Sequence, residues 1–222
     1  MNRLALLGGT FDPIHCGHLD IACAAREALG LDRVWLVPSH MPPHRRAPQA
    51  SAAHRFAMAA LAAEGDAGML VSDIEMLDAS PSYTSSTLAK LADKGLAGSA
   101  VFFITGADAF REIETWKDFP AILHACHFVV VSRPGVPVAS LRDELPSLSA
   151  RMVDLPAPIP SEPAILLVEA VTADVSSTQV RQKVLEGGTI EGMVPATVAA
   201  YIRKQALYQS EQAPAQQDHT HA

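Results

Sequence analysis

Residues 4–30 read LALLGGTFDPIHCGHLDIACAAREALG, and this stretch decides the fold. The apolar run at 3–7 has the composition of a buried strand, and the Ala-rich residues 18–29 read as a helix ended by Gly30. Between them Gly8 and Gly9 let the chain turn sharply and approach a ligand with no Cβ in the way. A strand that leads through a glycine turn into a helix is the first half of a β–α–β unit.

The same alternation continues along the chain. Strands are expected at 33–39, 69–76, 100–106, 126–135 and 164–170, with AVFFITG at 100–106 the clearest of them. Helices are expected at 51–63 with Ser51 as N-cap, at 82–95, at 176–188, and at 195–207 with Pro195 in the first helical position. Short helical pieces fill 107–123, while prolines bar regular structure from MPPHRRAPQ at 41–49. Residues 136–163, rich in Pro and Ser, read as a surface excursion rather than a second domain. The pattern predicts one α/β domain over 1–208, a Rossmann-like, doubly wound parallel sheet with helices on both faces. Residues 209–222 form a polar tail expected to be disordered. Ligands in such sheets sit beyond the carboxyl ends of the strands, which selects the segments after residues 7, 38, 105 and 170.

The 222 residues are 49% hydrophobic and 18% charged, enough apolar material for a sizeable core. A net charge of −7 argues against a general nucleic-acid binder, although local donors can still hold a small anion. Cys16, Cys23 and Cys126 lack metal-like spacing, and an odd count fits a reducing cytoplasm better than a disulfide framework. The first apolar run is too short for a signal segment, and no stretch approaches the ~20 apolar residues of a membrane helix. The expectation is a soluble cytoplasmic protein with neither a nucleic-acid nor a membrane partner.

The chemistry gathers at the first turn. The N–H groups of Gly8, Gly9 and Thr10 can line an anion site, and the next helix points its N-terminal dipole into the same place. His15 and His18 add directional donors, so the group reads as a phosphate cradle. Zinc takes three or four ligands, and helical pairs for it sit at i, i+4. Here the spacing is three and no third ligand is evident, so no protein-held metal is expected. A structural pair that caps the helix remains the plain alternative. The motif is neither the lysine-ended phosphate loop nor GxGxxG, which disfavours ATP hydrolysis by such a loop and hydride transfer.

Two further segments bear on an anionic ligand. In DVSSTQVR at 174–181, Ser176, Ser177 or Thr178 can cap a helix, and Arg181 falls in the first turn, where a cation opposes the dipole unless an anion binds there. A solvated arginine is the other reading. After the strand at 100–106, GADAF places Gly106 and Asp108 at the carboxyl edge, where Asp108 can accept from ribose hydroxyls or cap the next helix.

GGTFDPIHCGH at 8–18 resembles the HxGH signature of the nucleotidylyltransferase superfamily, and the longer string resembles bacterial nicotinate-nucleotide adenylyltransferases over about residues 3–207. The resemblance implies transfer of AMP from ATP to nicotinate mononucleotide, giving deamido-NAD and pyrophosphate, with Mg²⁺ accompanying ATP. It implies catalytic roles for His15, His18 and Arg181. For ATP it implies Gly8, Gly9, Thr10, Phe11, His15, His18, Arg45, Ser176, Ser177, Thr178 and Arg181. Two departures stand out: PPHR at 42–45 ends in arginine where lysine is common, and Val175 replaces an isoleucine. For the mononucleotide it implies Ser82, Tyr83 and Thr84 at the carboxylate, Gly106 and Asp108 at the ribose, and Trp116 stacked on the ring.

Overall fold

The computed structural model describes residues 3–42, 47–77, 80–96 and 98–209. β1 (Leu4–Gly9), α1 (Cys16–Leu29), β2 (Val34–Pro38), α2 (Ala52–Ala63), β3 (Met69–Val71), α3 (Thr84–Ala92) and β4 (Gly98–Gly106) follow in alternation. The short α4 (Ala107–Phe110) and two 3₁₀ turns lead to β5 (Cys126–Val131) and α5 (Leu141–Glu144). β6 (Met152–Asp154), β7 (Ile165–Val168), α6 (Ser177–Leu185) and α7 (Ala196–Lys204) complete the described chain. Arg45 and residues 210–222 of the expected tail lie outside the described residues.

Among the described residues the sheet has seven strands in the order β3-β2-β1-β4-β5-β7-β6, every neighbouring pair parallel. The chain moves outward from β1 to β3 and then returns to place β4 on the other side of β1. The strand order therefore reverses between β1 and β4, where Leu7 pairs with Ile104 just before both strands end in glycine.

Alternate side chains of each strand enter two cores. Ala5 and Leu7 join α1, α2, α6 and α7 through Ala22, Ala25, Met58, Val180 and Val198. Leu6 faces the other way, onto Leu88, Phe110, Ile113 and Leu141. Small residues on α1 let it lie close to the sheet, and Gly30, at φ 57°, closes it in the left-handed conformation expected of that glycine. Ser51 caps α2 by accepting from His54 N–H at 3.3 Å, as its place in the sequence suggested. No helix of the described residues is long and apolar enough to cross a membrane.

Three expectations change. α1 starts at Cys16 with His15 as its N-cap, two residues before the expected start, so both histidines belong to the helix terminus. Pro195 stands before α7 with ψ 147°, an extended conformation that places it outside the helix. Residues 136–163 are not a loose excursion. Val138, Leu141, Leu145, Leu148 and Met152 are buried in the second core, and β6 pairs with β7 as the edge of the sheet. Their spacing of three to four residues is an apolar helical stripe, hidden in the sequence by the prolines and serines between them.

Because Leu141 is fully buried, Leu141→Ala should lower the unfolding free energy by about 2–5 kcal/mol in urea titration. An unchanged midpoint would return residues 136–163 to the surface.

Candidate active site

The site begins where β1 ends. A Cβ on Gly8 would stand 2.9 Å from the Phe103 ring and one on Gly9 2.7 Å from the Phe11 ring, so both aromatics close in only because these positions are bare. The loop that follows is held from beneath by Arg55, 1% exposed, whose guanidinium donates to the carbonyls of Thr10 (2.7 Å), Ser39 (2.6 Å), His40 (2.9 Å) and Ala50 (3.2 Å). Asp12, also buried, accepts from the N–H groups of Gln49 (2.8 Å) and Ala50 (3.1 Å) and from the Tyr208 hydroxyl (2.8 Å). Burial first, then the Asp12 charge, pushes the Tyr208 phenol far up, so it stays a donor.

α6 docks on the same loop. Ser176 caps it through a reciprocal pair, accepting from Gln179 N–H at 3.2 Å while Gln179 Oε1 accepts from Ser176 N–H at 2.7 Å. Ser177 donates to the Pro13 carbonyl at 2.9 Å, and Arg181 donates to the Asp12 carbonyl at 2.6 Å with the Asp12 carboxylate at 3.9 Å. Arg181 lies in the second turn rather than the expected first, because the helix is capped at Ser176, and its side chain reaches back toward the helix start.

The histidine pair crowns α1. The His15 N–H donates to His18 Nδ1 at 3.2 Å, which leaves the His18 proton on Nε2 in the neutral ring. The two rings stack at 3.6 Å, and Phe11 meets His18 edge-on at 5.0 Å. His15 is 4% exposed, and its Nδ1 has no hydrogen-bond partner among the described residues. Burial, with a smaller push from the Arg133 charge, lowers its pKa to about 3. Arg133, at the exit of β5, donates to the carbonyls of Ala173 (3.4 Å) and Val175 (3.0 Å), joining that exit to the approach to α6. Gly17 has room for no side chain: a Cβ would sit 2.5 Å from the Arg133 guanidinium and 3.0 Å from the Ala173 carbonyl. A helix N-terminus with Arg133 and Arg181 beside it attracts anions.

Next to this terminus lies a cavity of about 230 Å³ at the switch point, its walls including Gly8, Gly9, Thr10, Tyr83, Thr84 and Trp116. Trp116 is half-buried and fixed edge-on by Phe103 at 6.2 Å and Phe128 at 6.2 Å. Tyr83 is the N-cap of α3, and its own side chain makes no cap hydrogen bond. Ser82 also lines the cavity, but its hydroxyl is engaged on the protein. It accepts from the N–H groups of His40 (2.9 Å) and Met41 (3.3 Å) and bonds to Glu75. Glu75 accepts from Thr87 at 2.6 Å, and burial raises its pKa. Asp108 is exposed, with its carboxylate against Gly106, so that a Cβ at Gly106 would have to displace it.

The structure thus gathers Gly8, Gly9, Thr10, Ser82, Tyr83, Thr84 and Trp116 around one cavity and His15, His18, Ser177 and Arg181 around the adjoining loop. Gly106 and Asp108 stand between them, beside the Arg133 side chain. Sequence reasoning passed over Asp12, Arg55, Glu75, Arg133 and Tyr208. Asp12 lies inside the quoted motif, where the carboxyl-edge rule could have found it, whereas Arg133 was read as part of the expected strand at 126–135, which ends at Val131. Arg55 and Tyr208 carry no local signal.

The cytidylyltransferase-like family model matches residues 6–183. A Shewanella pealeana protein named "Probable nicotinate-nucleotide adenylyltransferase" is 36% identical over 94% of this chain and 97% of its own length. A Roseiflexus relative of the same name is 41% identical over 92% and 97%. The Plasmodium falciparum nicotinic acid mononucleotide adenylyltransferase complexed with NaAD shares the fold, with TM-score 0.74 over 94% of this chain and 98% of that one at 16% identity.

His15 should stay neutral in the native state down to about pH 3 while it protonates near 6.5 in the unfolded chain. Its contribution to stability is therefore complete above pH 6.5 and erodes as pH falls toward about 3. In NMR titration its ring resonances should not move between about pH 8 and 5; a midpoint near 6.5 would show a solvated ring. Gly17→Ala should reduce activity and thermal stability together, since Arg133 and the Ala173 carbonyl must retreat.

Proposed function

The chain belongs to the nicotinate-nucleotide adenylyltransferase family of cytidylyltransferase-like enzymes, and from that premise we propose that it joins AMP from ATP to nicotinate mononucleotide, releasing pyrophosphate and deamido-NAD. The observation that carries this assignment is the meeting, at one switch point, of an anion-attracting helix terminus with an aromatic-walled cavity. One can hold a triphosphate and the other a flat ring.

In the reaction an oxygen of the mononucleotide 5′-phosphate attacks the α-phosphorus of ATP. The new P–O bond forms as the bond to the β-phosphate bridging oxygen breaks, and pyrophosphate leaves with that electron pair. The attacking phosphate is already an anion, so no general base is needed. The protein contributes position and charge stabilisation. His18 donates from Nε2 to the α-phosphate as charge develops, because Nδ1 is occupied by the His15 N–H. His15 lies one ring behind it, against the departing phosphates, with the Thr10 N–H and Arg181 completing the cradle. Ser176–Thr178 bring the α6 terminus to the same phosphates.

The described residues hold no group of three His, Cys, Asp or Glu side chains that could grip a metal ion. Mg²⁺ would enter with ATP and offset charge on its phosphates. The unpaired Cys16, Cys23 and Cys126 suit the reducing cytoplasm we assign to the enzyme.

Incubation with ATP and nicotinate mononucleotide should release pyrophosphate and yield deamido-NAD by chromatography. His18→Ala should lower kcat by ~10²–10³-fold. Near-normal turnover in that variant would remove His18 from the reaction.

A further inference from the structure

We infer that Tyr208 is a positioning residue for ATP, bonding the Asp12 carboxylate so that Arg181 stays available to the triphosphate; this rests on the triphosphate lying at the α1 and α6 termini. Tyr208 stands 196 positions from Asp12, beyond α7, and donates its hydroxyl to Asp12 Oδ1 at 2.8 Å. Its ring is buried in the core that α7 shares with the sheet. Ala206 at φ 49° and Tyr208 at φ 64° are left-handed without being glycine, a conformation kept only where the surroundings over-determine it. The chain after α7 is thus bent to bring one hydroxyl to one carboxylate.

Asp12 Oδ2 accepts from Gln49 N–H at 2.8 Å, and Oδ1 accepts from Ala50 N–H at 3.1 Å as well as from Tyr208. Uncharged donors therefore satisfy a carboxylate whose side chain is 7% exposed. Arg181 Nη1 stops 3.9 Å from Asp12 Oδ2, too far for a hydrogen bond, and donates instead to the Asp12 carbonyl at 2.6 Å. Nη2 meets Thr178 Oγ1 at 3.2 Å. These contacts use two of the five N–H groups of the guanidinium, and the others can turn to an anion.

Without the Tyr208 hydroxyl, Asp12 Oδ1 becomes an under-bonded carboxylate oxygen in a buried place, which is costly. Arg55 cannot relieve it, being held by four carbonyls. Arg181 can, since it lies within about 1 Å of ion-pair distance. Its guanidinium would close on Asp12 and draw back from the phosphates. Neither Asp12, Arg181 nor Tyr208 lines the aromatic-walled cavity, so the mononucleotide should be indifferent to the change.

The test measures ATP affinity by calorimetry, and KM for ATP and for nicotinate mononucleotide by pyrophosphate release. It compares the unsubstituted chain, Tyr208→Phe, Arg181→Gln and the double variant. Tyr208→Phe keeps the buried ring, so its thermal midpoint should lie within about 5 °C of the unsubstituted chain. In that variant ATP affinity should fall and KM for ATP rise about tenfold, with KM for the mononucleotide changed by less than about twofold. In the Arg181→Gln background, loss of the hydroxyl should add less than about twofold, because the group it acts through is gone. Unaltered ATP affinity in Tyr208→Phe, equal losses for both substrates, or additive losses in the double variant each overturn the role of Tyr208. An unsubstituted chain that binds no ATP overturns the triphosphate site, and the role of Tyr208 with it.

Discussion

A guanidinium cut off from water must find its hydrogen-bond partners in the protein, and Arg55 finds them in main-chain carbonyls contributed by three separate segments. Thr10 belongs to the exit of β1, Ser39 and His40 to the exit of β2, and Ala50 to the approach to α2. Burial lowers the pKa of Arg55 while the Asp12 charge works against that loss, so the two residues support each other. Asp12 in turn ties residues 49–50 and the chain's last described turn at Tyr208 to the same loop. Without this knot, the glycine turn after β1 would have no reason to keep one shape.

Two half-sites depend on the knot. On one side, α1 and α6 converge on residues 10–15, with Ser177 and Arg181 seated on the carbonyls of Pro13 and Asp12. On the other, Ser82 links the β2 exit to the start of α3 and closes the aromatic cavity. The reversal of strand order between β1 and β4 opens the gap that both halves share. Bare positions at Gly8, Gly9 and Gly17 let rings and a guanidinium approach the backbone at distances that no side chain would permit.

How legible each part was follows the range of the interaction that makes it. Ser51 and Gly30 act within one helical turn, so the residue type at its position was enough to place them, whereas Ser176, Ser177 and Thr178 were all eligible caps and the structure selects Ser176. The chain's alternation of strands and helices was legible for the same reason. The segment 136–163 was misread because its apolar stripe acquires meaning only against Phe110 and Phe128 of the second core. The start of α1 was misplaced because histidine is not among the usual N-cap residues, even though the His18 side chain, three residues on, accepts from the His15 N–H.

By itself the sequence determined the α/β class, the glycine turn after the first strand and the glycine that closes the first helix, since periodicity and glycine conformations are local. Only the tertiary structure decided that Arg55, Asp12 and Tyr208 would meet beneath that turn, that Arg133 would fill the space left by Gly17, and that Lys117 would lie over Tyr83. These contacts join residues remote along the chain. Burial and charge act between such residues through space, and no local spacing rule records which of them will face one another.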